Sequence, residues 1–476
     1  MPRKTTITEA TLRSLGPKRL AALVLEACQR DDVLKKKVRM MLAAKGGSDA
    51  LDAELKTRIK SLQTGRSFVD WREAGNLAAI IDTIRAGITG ELVAESPGAA
   101  VARLWQLIDA TDSIMERVDD SGGMISSSLR AAVVDLGAVL AKAGVDDADI
   151  LARKVHASTL DNGYGVVDGL VQAVAPAFGP KGRAALRAYF EQDIAATSPT
   201  AWPTGDGARD YERDRRRFAA AKGLMDLADA EDDVDAFLCA AELSPYKIAY
   251  IDKAAKRLLK AKRPAEALAW LDRLPPDHFK WRDATGDGVV GIKLQALDAL
   301  GRNDEAQALR WEMFERYLWP VYLREHVKRL PDFEDEPVIR KAVAHAMAHR
   351  SVLEALSFLV AWPDLDAAAR LVATRADEID GRHYDLLNTA IDRLEEKHPV
   401  AATILLRAKI DSVLARASST QYRHAARDLA RAAALALRIE AAATISTHEA
   451  YMADLKARHA RKTSFWPKVA EAGVDI

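Results

Sequence analysis

Four arginines in the C-terminal part of the chain have the type and spacing needed to bind an anionic partner. They are Arg423, Arg427, Arg431 and Arg438. On a helix they fall within about 80° of one another. They lie opposite an apolar face made of Ala426, Leu429, Ala433 and Leu437. Guanidinium groups make paired hydrogen bonds to carboxylates and phosphates. The sequence therefore predicts either a binding surface here or a solvated face whose charges pair with neighbouring helices.

The charge around this arginine stripe is locally positive. From Glu396 to Lys468 there are thirteen Lys or Arg residues against six Asp or Glu, although the whole chain is balanced at 69 of each. A balanced chain has no global field that would draw it to nucleic acid or to an anionic membrane. Any electrostatic binding is therefore expected to be regional.

Two charged and aromatic tracts stand out in the N-terminal half, GRSFVDWR (65–72) and MERVDDSGG (115–123). Phe68 and Trp71 are expected to pack between helices. The charged residues could form an internal salt-bridge lattice or a polar pocket, and both possibilities stay open. The candidate binding residues of these tracts are Arg66, Asp70, Trp71, Arg117, Asp119 and Asp120.

Other patterns with chemical potential are incomplete. His345 and His349 have the i, i+4 spacing of a helical zinc site, but no third ligand can be named. The segment DATGDG (283–288) resembles the start of a calcium loop, yet Leu294 stands where a glutamate is required. NGYG (162–165) lacks the strand and the Lys-Ser/Thr pair of a phosphate loop. We therefore predict no catalytic residue, no metal and no cofactor.

Helices must position these residues, because the apolar period is helical throughout. Two segments, 259–271 and 299–313, match at an offset of 39 residues: Arg263 aligns with Arg302 and Glu266 with Glu305. Each copy joins two helices through a short polar turn. A helix pair of this kind buries its apolar face only by stacking on neighbours.

The first helical hairpin shows clear start signals. Pro17 opens a helix with the stripe Leu20, Leu23, Val24 and Ala27, and Asp31 or Asp32 can cap the next, which carries Leu34, Val38, Met41 and Leu42. A second Gly-Pro-Lys start, in FGPKGRAAL (178–186), echoes LGPKRLAAL (15–23). The same kind of helix start is expected at both places.

Length and composition favour an all-α chain. It has 476 residues, 49% of them hydrophobic but only 6% aromatic, which suits close-packed helices better than sheets. We predict stacked helical hairpins, a TPR-like αα superhelix (solenoid), in two lobes. Because TSPTAWPTGDGARD (197–210) interrupts the periodicity, the lobes are placed at residues 1–205 and 206–476.

The cellular context is expected to be cytoplasmic. Two cysteines, Cys28 and Cys239, exclude a disulfide scaffold and are expected to be buried free thiols. The first twenty residues have no apolar run typical of a secretory signal. No segment reaches about 18 uninterrupted apolar residues, so no membrane partner is expected.

Four segments carry a resemblance to known proteins: GRSFVDWR, MERVDDSGG, NGYGVVDGL (162–170) and the run from His398 to Ala436 with HEAYMADLKARHARKTSFW after it. The chain resembles a family of uncharacterised bacterial proteins classed as a domain of unknown function. Its C-terminal part also resembles the helical-repeat region of SWIM-type zinc-finger proteins. The finger's cysteine and histidine pairs are absent, so the resemblance implies a helical-repeat fold and no zinc.

These observations favour a non-enzymatic scaffold that binds another protein. The alternative is a nucleic-acid-associated protein that uses the basic C-terminal lobe. A third possibility is an enzyme with a site in the N-terminal tracts, although these tracts contain no recognisable catalytic motif.

Overall fold

The computed structural model describes residues 7–197, 211–275, 288–440 and 445–474. Helix follows helix through all four ranges. The only β-type pairing within them is an isolated parallel bridge between Val69 and Val118. The predicted all-α helical-repeat fold is confirmed.

The chain divides into two compact units, Met1–Ala261 and Lys262–Ile476. The lobe boundary predicted near residue 205 falls in 198–210, outside the described residues. That prediction stays open.

The first unit contains fourteen α-helices in its described part, with a π-helical turn at Ile88–Leu92. They are α1 Glu9–Arg13, α2 Pro17–Arg30, α3 Asp32–Ala44, α4 Ser48–Gln63, α5 Ala74–Gly87, α6 Val93–Glu95, α7 Pro97–Asp109, α8 Thr111–Met115, α9 Met124–Ala143, α10 Ala148–Leu160, α11 Leu170–Ala196, α12 Tyr211–Ala230, α13 Val234–Leu243 and α14 Ile251–Lys260.

The predicted helix starts are confirmed in their geometry. Gly16 has φ +76° and Gly179 has φ +62°, and a proline opens the helical segment after each. Only glycine adopts such a backbone without strain, so FGPKG breaks α11 into two segments at Gly179. Asp31 caps α3 by accepting a hydrogen bond from the Leu34 amide at 2.9 Å.

Helix α9 lies at the centre of the first unit, packed on α5, α7 and α11. Its contact with α11 is unusually close. A Cβ atom built on Gly137 would lie 2.1 Å from the carbonyl oxygen of Ala173. Only a glycine permits this approach, so the position of α11, and of the loop before it, depends on Gly137.

The second unit contains twelve α-helices in its described part. They are α15 Pro264–Leu271, α16 Val289–Ala299, α17 Asn303–Tyr317, α18 Pro320–Val327, α19 Asp335–Ala348, α20 Val352–Ala361, α21 Leu365–Thr374, α22 Tyr384–Leu394, α23 Pro399–Ala415, α24 Tyr422–Ala436, α25 His448–His459 and α26 Trp466–Glu471.

The two copies of the sequence repeat have the same local structure. Arg263 donates to both carboxylate oxygens of Glu266 at 2.6 and 2.7 Å, and Arg302 donates to both of Glu305 at 2.6 Å. The residue before each arginine has a left-handed backbone, with φ +62° at Lys262 and +69° at Gly301. The aligned turns are therefore equivalent in structure.

One predicted helix was wrong. The periodicity predicts a single helix over residues 338–361, whereas the structure has two, α19 and α20. His349 has an extended backbone, and the Ser351 side chain accepts a hydrogen bond from the Glu354 amide. A serine that caps the following helix ends the preceding one.

Candidate functional site

The arginine stripe of α24 divides into two exposed residues and two that bind within the unit. Arg423 and Arg427 are exposed, and they make no ion pair with the described residues. Arg431 pairs with Asp392 and Glu395 at 2.6 Å each. Arg438 donates to the backbone carbonyl of Glu396. Half of the predicted stripe therefore holds α24 to α22 and to the turn that follows it.

The apolar side of α24 is shorter than the sequence indicates. Ala426 and Leu429 are buried against the core formed with α23, α25 and α26. Leu437, predicted on the same face, is almost fully exposed and lies just past the end of α24 at Ala436.

The two N-terminal tracts come together, as a candidate site would require. The Val69 amide donates to the Arg117 carbonyl at 2.9 Å, and the Asp119 amide donates to the Val69 carbonyl at 2.9 Å. Arg117 also donates from its guanidinium to the carbonyls of Leu62 and Ser67, at 2.9 and 3.2 Å. The hydrogen bonds between the two tracts hold their loops against each other.

The acidic residues of these tracts bind backbone amides. Asp120 accepts from the amides of Ile125 and Ser126, at 2.9 Å each, and so caps α9. Asp119 accepts from Ser121, and Asp70 accepts from Arg72. These contacts are neither a salt-bridge lattice nor a pocket. They support a structural role for Asp70, Arg117, Asp119 and Asp120.

The aromatic residues of the tracts are not where the sequence predicts them. Phe68 and Trp71 are exposed, and the Arg72 guanidinium lies over the Trp71 ring. The prediction that they pack between helices was wrong. Arg66 is also exposed.

The incomplete metal-binding patterns of the sequence are not completed by other side chains in the described residues. His345 donates a hydrogen bond to the Glu315 carbonyl at 2.8 Å, and His349 lies beyond the end of α19. No three His, Cys, Asp or Glu side chains in the described ranges are grouped to hold a metal ion. Most of the calcium-like segment, 283–287, lies outside those ranges.

The loop that contains NGYG lies beside a buried charge network. Lys222 on α12 contacts Asp226 at 2.7 Å and Asp168 at 3.7 Å, and Gln172 donates to Asp226 at 3.0 Å. Asn162 donates to Asp168 at 3.0 Å. These contacts tie the 161–169 loop to α12 beside a cavity of about 340 Å³.

Burial sets the ionisation of this network. It raises the pKa of Asp226 although Lys222 acts in the opposite direction, and it raises the pKa of Tyr250 to about 12, with the charges of Asp226 and Asp168 adding to the effect. Every carboxylate in the network has a partner, so its arrangement is that of a structural lattice.

A surface that the sequence did not single out lies at the first hairpin. Helix α2 packs mainly on α1 and α3 and has no buried residue, whereas α3 packs on α4 and α5 around Met40. Half of the two predicted apolar stripes stays exposed: Leu23 is 51% exposed, Met41 59% and Leu42 64%, and Val24 is exposed as well. The other four residues of the stripes are partly buried. We call Leu20, Leu23, Val24, Ala27, Leu34, Val38, Met41 and Leu42 the hairpin face.

The hairpin face has a strongly basic surround. Between Ile7 and Gly47 there are nine Lys or Arg residues against four Asp or Glu, an excess of five positive charges. Lys35, Lys37 and Arg39 are exposed on α3. Exposed apolar patches of this kind mark interaction sites, and the helical spacing of the stripes was a signal that could have identified it.

Comparison with known families places the chain. A model of a family of unknown function, DUF6880, matches residues 2–468. The chain belongs to this family. No curated protein matches it, and no solved structure does. Membership of DUF6880 agrees with the predicted resemblance to an uncharacterised family and supplies no reaction.

Two further features of this DUF6880 member bear on its context. Met124–Ala143 is long and apolar enough to cross a membrane, with a mean hydropathy of 1.5, yet 56% of that stretch is buried inside the structure. A core helix passes the same test, so it decides nothing about location. Both cysteines were expected to be buried, but Cys28 is only partly buried. Cys239 is exposed on α13, where Phe237 and Ala240 face the core instead.

Proposed function

We propose that this protein is a non-enzymatic scaffold whose hairpin face binds an acidic amphipathic helix of a partner protein. The observation that carries the proposal is the exposure of both apolar stripes at the open end of a series of packed helices. Because α2 packs mainly on α1 and α3 within the described part of the chain, a helix supplied by a partner would continue the packing. Each stripe has apolar residues three or four positions apart, the spacing by which one amphipathic helix packs against another.

The positive charge around the hairpin face favours an acidic helix over a second copy of the chain. A second copy of the chain would bring its own excess of five positive charges from the same segment to the contact. An acidic helix would meet lysine and arginine instead, which favours both its encounter rate and its register. A cytoplasmic location and kinship with the SWIM-associated repeats stay predictions from the sequence.

A peptide titration tests this function. The probe is a fluorescent helical peptide of about 18 residues, or five turns, with Leu at the groove-binding spacing and Glu elsewhere. We expect the full chain to bind it more tightly than a scrambled peptide of the same composition. Replacing Leu23, Met41 and Leu42 together by Ser should weaken binding by about tenfold or more, because truncated anchors cost over about 1 kcal/mol each.

The matched control is Leu25→Ser, which removes a leucine that is exposed on the other side of α2. Its affinity for the peptide should equal that of the wild type. Equal binding of helical and scrambled peptides, or full affinity in the triple variant, would overturn the proposal.

The second candidate function is nucleic-acid association through α24, which the exposure of Arg423 and Arg427 favours. If these arginines contact phosphates, replacing both by Glu should abolish binding of duplex DNA. The wild-type affinity should fall as the salt concentration rises, by about 0.7 to 0.9 log units per log unit of salt for each phosphate neutralised. Filter binding at several salt concentrations measures both. Negligible DNA binding by the wild type would remove this candidate.

A further inference from the structure

A second cavity lies on the other side of the 161–169 loop, independent of the hairpin face. Its volume is about 360 Å³, within the range of small-ligand sites. The lining comes from the α7–α8 corner, from the end of α10 and from the loop itself. Its polar lining includes Asp109, Thr111, Asp112, Asp161 and Asn162.

The carboxylates of this cavity are incompletely neutralised. Asp109 pairs with Lys154 at 2.8 Å. Asp112 and Asp161 make no ion pair within the described ranges of the chain. Burial raises the pKa of Asp112, and the nearby charges of Asp161 and Glu116 raise it further. Negative charges that crowd one another in this way are stabilised when a cation enters.

An independent feature of the same wall points to a ligand. Thr111 is only 5% exposed, and its hydroxyl oxygen has no hydrogen-bond partner in the described structure. A buried hydroxyl without a partner costs free energy. A ligand with an N–H donor beside the Asp112 carboxylate would satisfy it once the Thr111 hydroxyl turns toward the cavity that this residue lines.

The lining also indicates the kind of cation. No set of three metal ligands is grouped in the described residues. Ile108, Ala157 and Val167 give the cavity an apolar portion, which suits the carbon atoms of an organic ligand. We propose that this cavity binds an organic cation, with its ammonium or guanidinium group held by Asp112, Asp161 and Thr111.

Isothermal titration calorimetry of the full chain tests this site with three probes: spermidine, N-acetyl-arginine amide and Mg²⁺. Saturable binding at one site per chain is expected for spermidine, for the arginine derivative, or for both. Tighter binding of spermidine would identify a free amine as the source, and tighter binding of the arginine derivative would identify a side chain of a partner. Asp112→Asn should weaken binding by about tenfold or more, the loss expected for one hydrogen bond to a charged group.

Two variants separate binding from folding. Thr111→Val should weaken binding without lowering the melting temperature, because it removes a hydroxyl that has no partner. Asp146→Asn, which neutralises an exposed carboxylate outside the cavity, should bind as the wild type does. The proposal fails if neither organic probe binds saturably, if Mg²⁺ binds more tightly than both, or if all variants bind equally.

Discussion

Asp298→Ala should lower the free energy of unfolding of the second unit by about 3 to 5 kcal/mol, the cost of leaving a buried charge without its partner. Arg310 is fully buried on α17, and its guanidinium pairs with Asp298 at 2.5 Å and donates to Gln307 at 3.2 Å. Without the carboxylate, the guanidinium keeps its charge at a fully buried position. Urea unfolding of the full chain, followed in the second unit by hydrogen exchange, measures the loss.

The sequence repeat supplies a sharp control for this experiment. At the 39-residue offset, Arg310 aligns with Leu271 and Asp298 with Leu259, so the first copy has apolar residues where the second has an ion pair. Asp298→Leu combined with Arg310→Met should recover most of the stability, since apolar replacement of a buried pair is often neutral or favourable. Glu336→Ala, which breaks an exposed pair with Arg340, should cost less than about 1 kcal/mol. If Asp298→Ala costs no more than Glu336→Ala, the pair does not hold the unit together.

The second large effect is expected at the network beside the 161–169 loop. Lys222→Met removes the cation that contacts both Asp226 and Asp168, so Asp226 is left buried with Gln172 as a neutral partner. We expect a loss of about 3 to 5 kcal/mol in the first unit near neutral pH. Chemical denaturation at a series of pH values measures it.

The pH dependence of this loss has a definite sign. Burial already raises the pKa of Asp226, and removing Lys222 raises it further. The folded variant then binds a proton more tightly than the unfolded chain does. Its stability therefore falls as the pH rises from the ordinary aspartate pKa through the raised one, and it recovers on acidification. A loss that does not change with pH would show that Asp226 is not the destabilised group.

Local signals in the sequence predicted much of the fold. Pro17, Asp31 and the two Gly-Pro-Lys segments act through contacts within a few residues, so a helix start could be recognised from its own letters. The break at His349 was missed because an apolar period continues across it. A serine that caps a new helix is a weaker signal than the period around it.

Non-local contacts decided the candidate sites, and the sequence could not predict these. Arg431 binds Asp392 and Glu395, which lie more than thirty residues away in the sequence. The sequence alone could therefore not show that part of the arginine stripe binds within the unit. Periodicity showed that Leu23 and Met41 belong to apolar stripes, but which helix covers a stripe depends on the packing order. The spacing indicated the hairpin face, and its exposure follows from the packing order, in which α2 contacts mainly α1 and α3 among the described helices.

Cross-linking in cells tests the central claim most directly, with p-benzoylphenylalanine in place of Met41 in the hairpin face and in place of Leu25 as the control. We expect a cross-link at position 41 to a protein whose cross-linked segment is acidic and has apolar residues at helical spacing. The same cross-link should be absent at position 25. Cross-links only to a second copy of the chain or to lipid, or none beyond those at position 25, would contradict it.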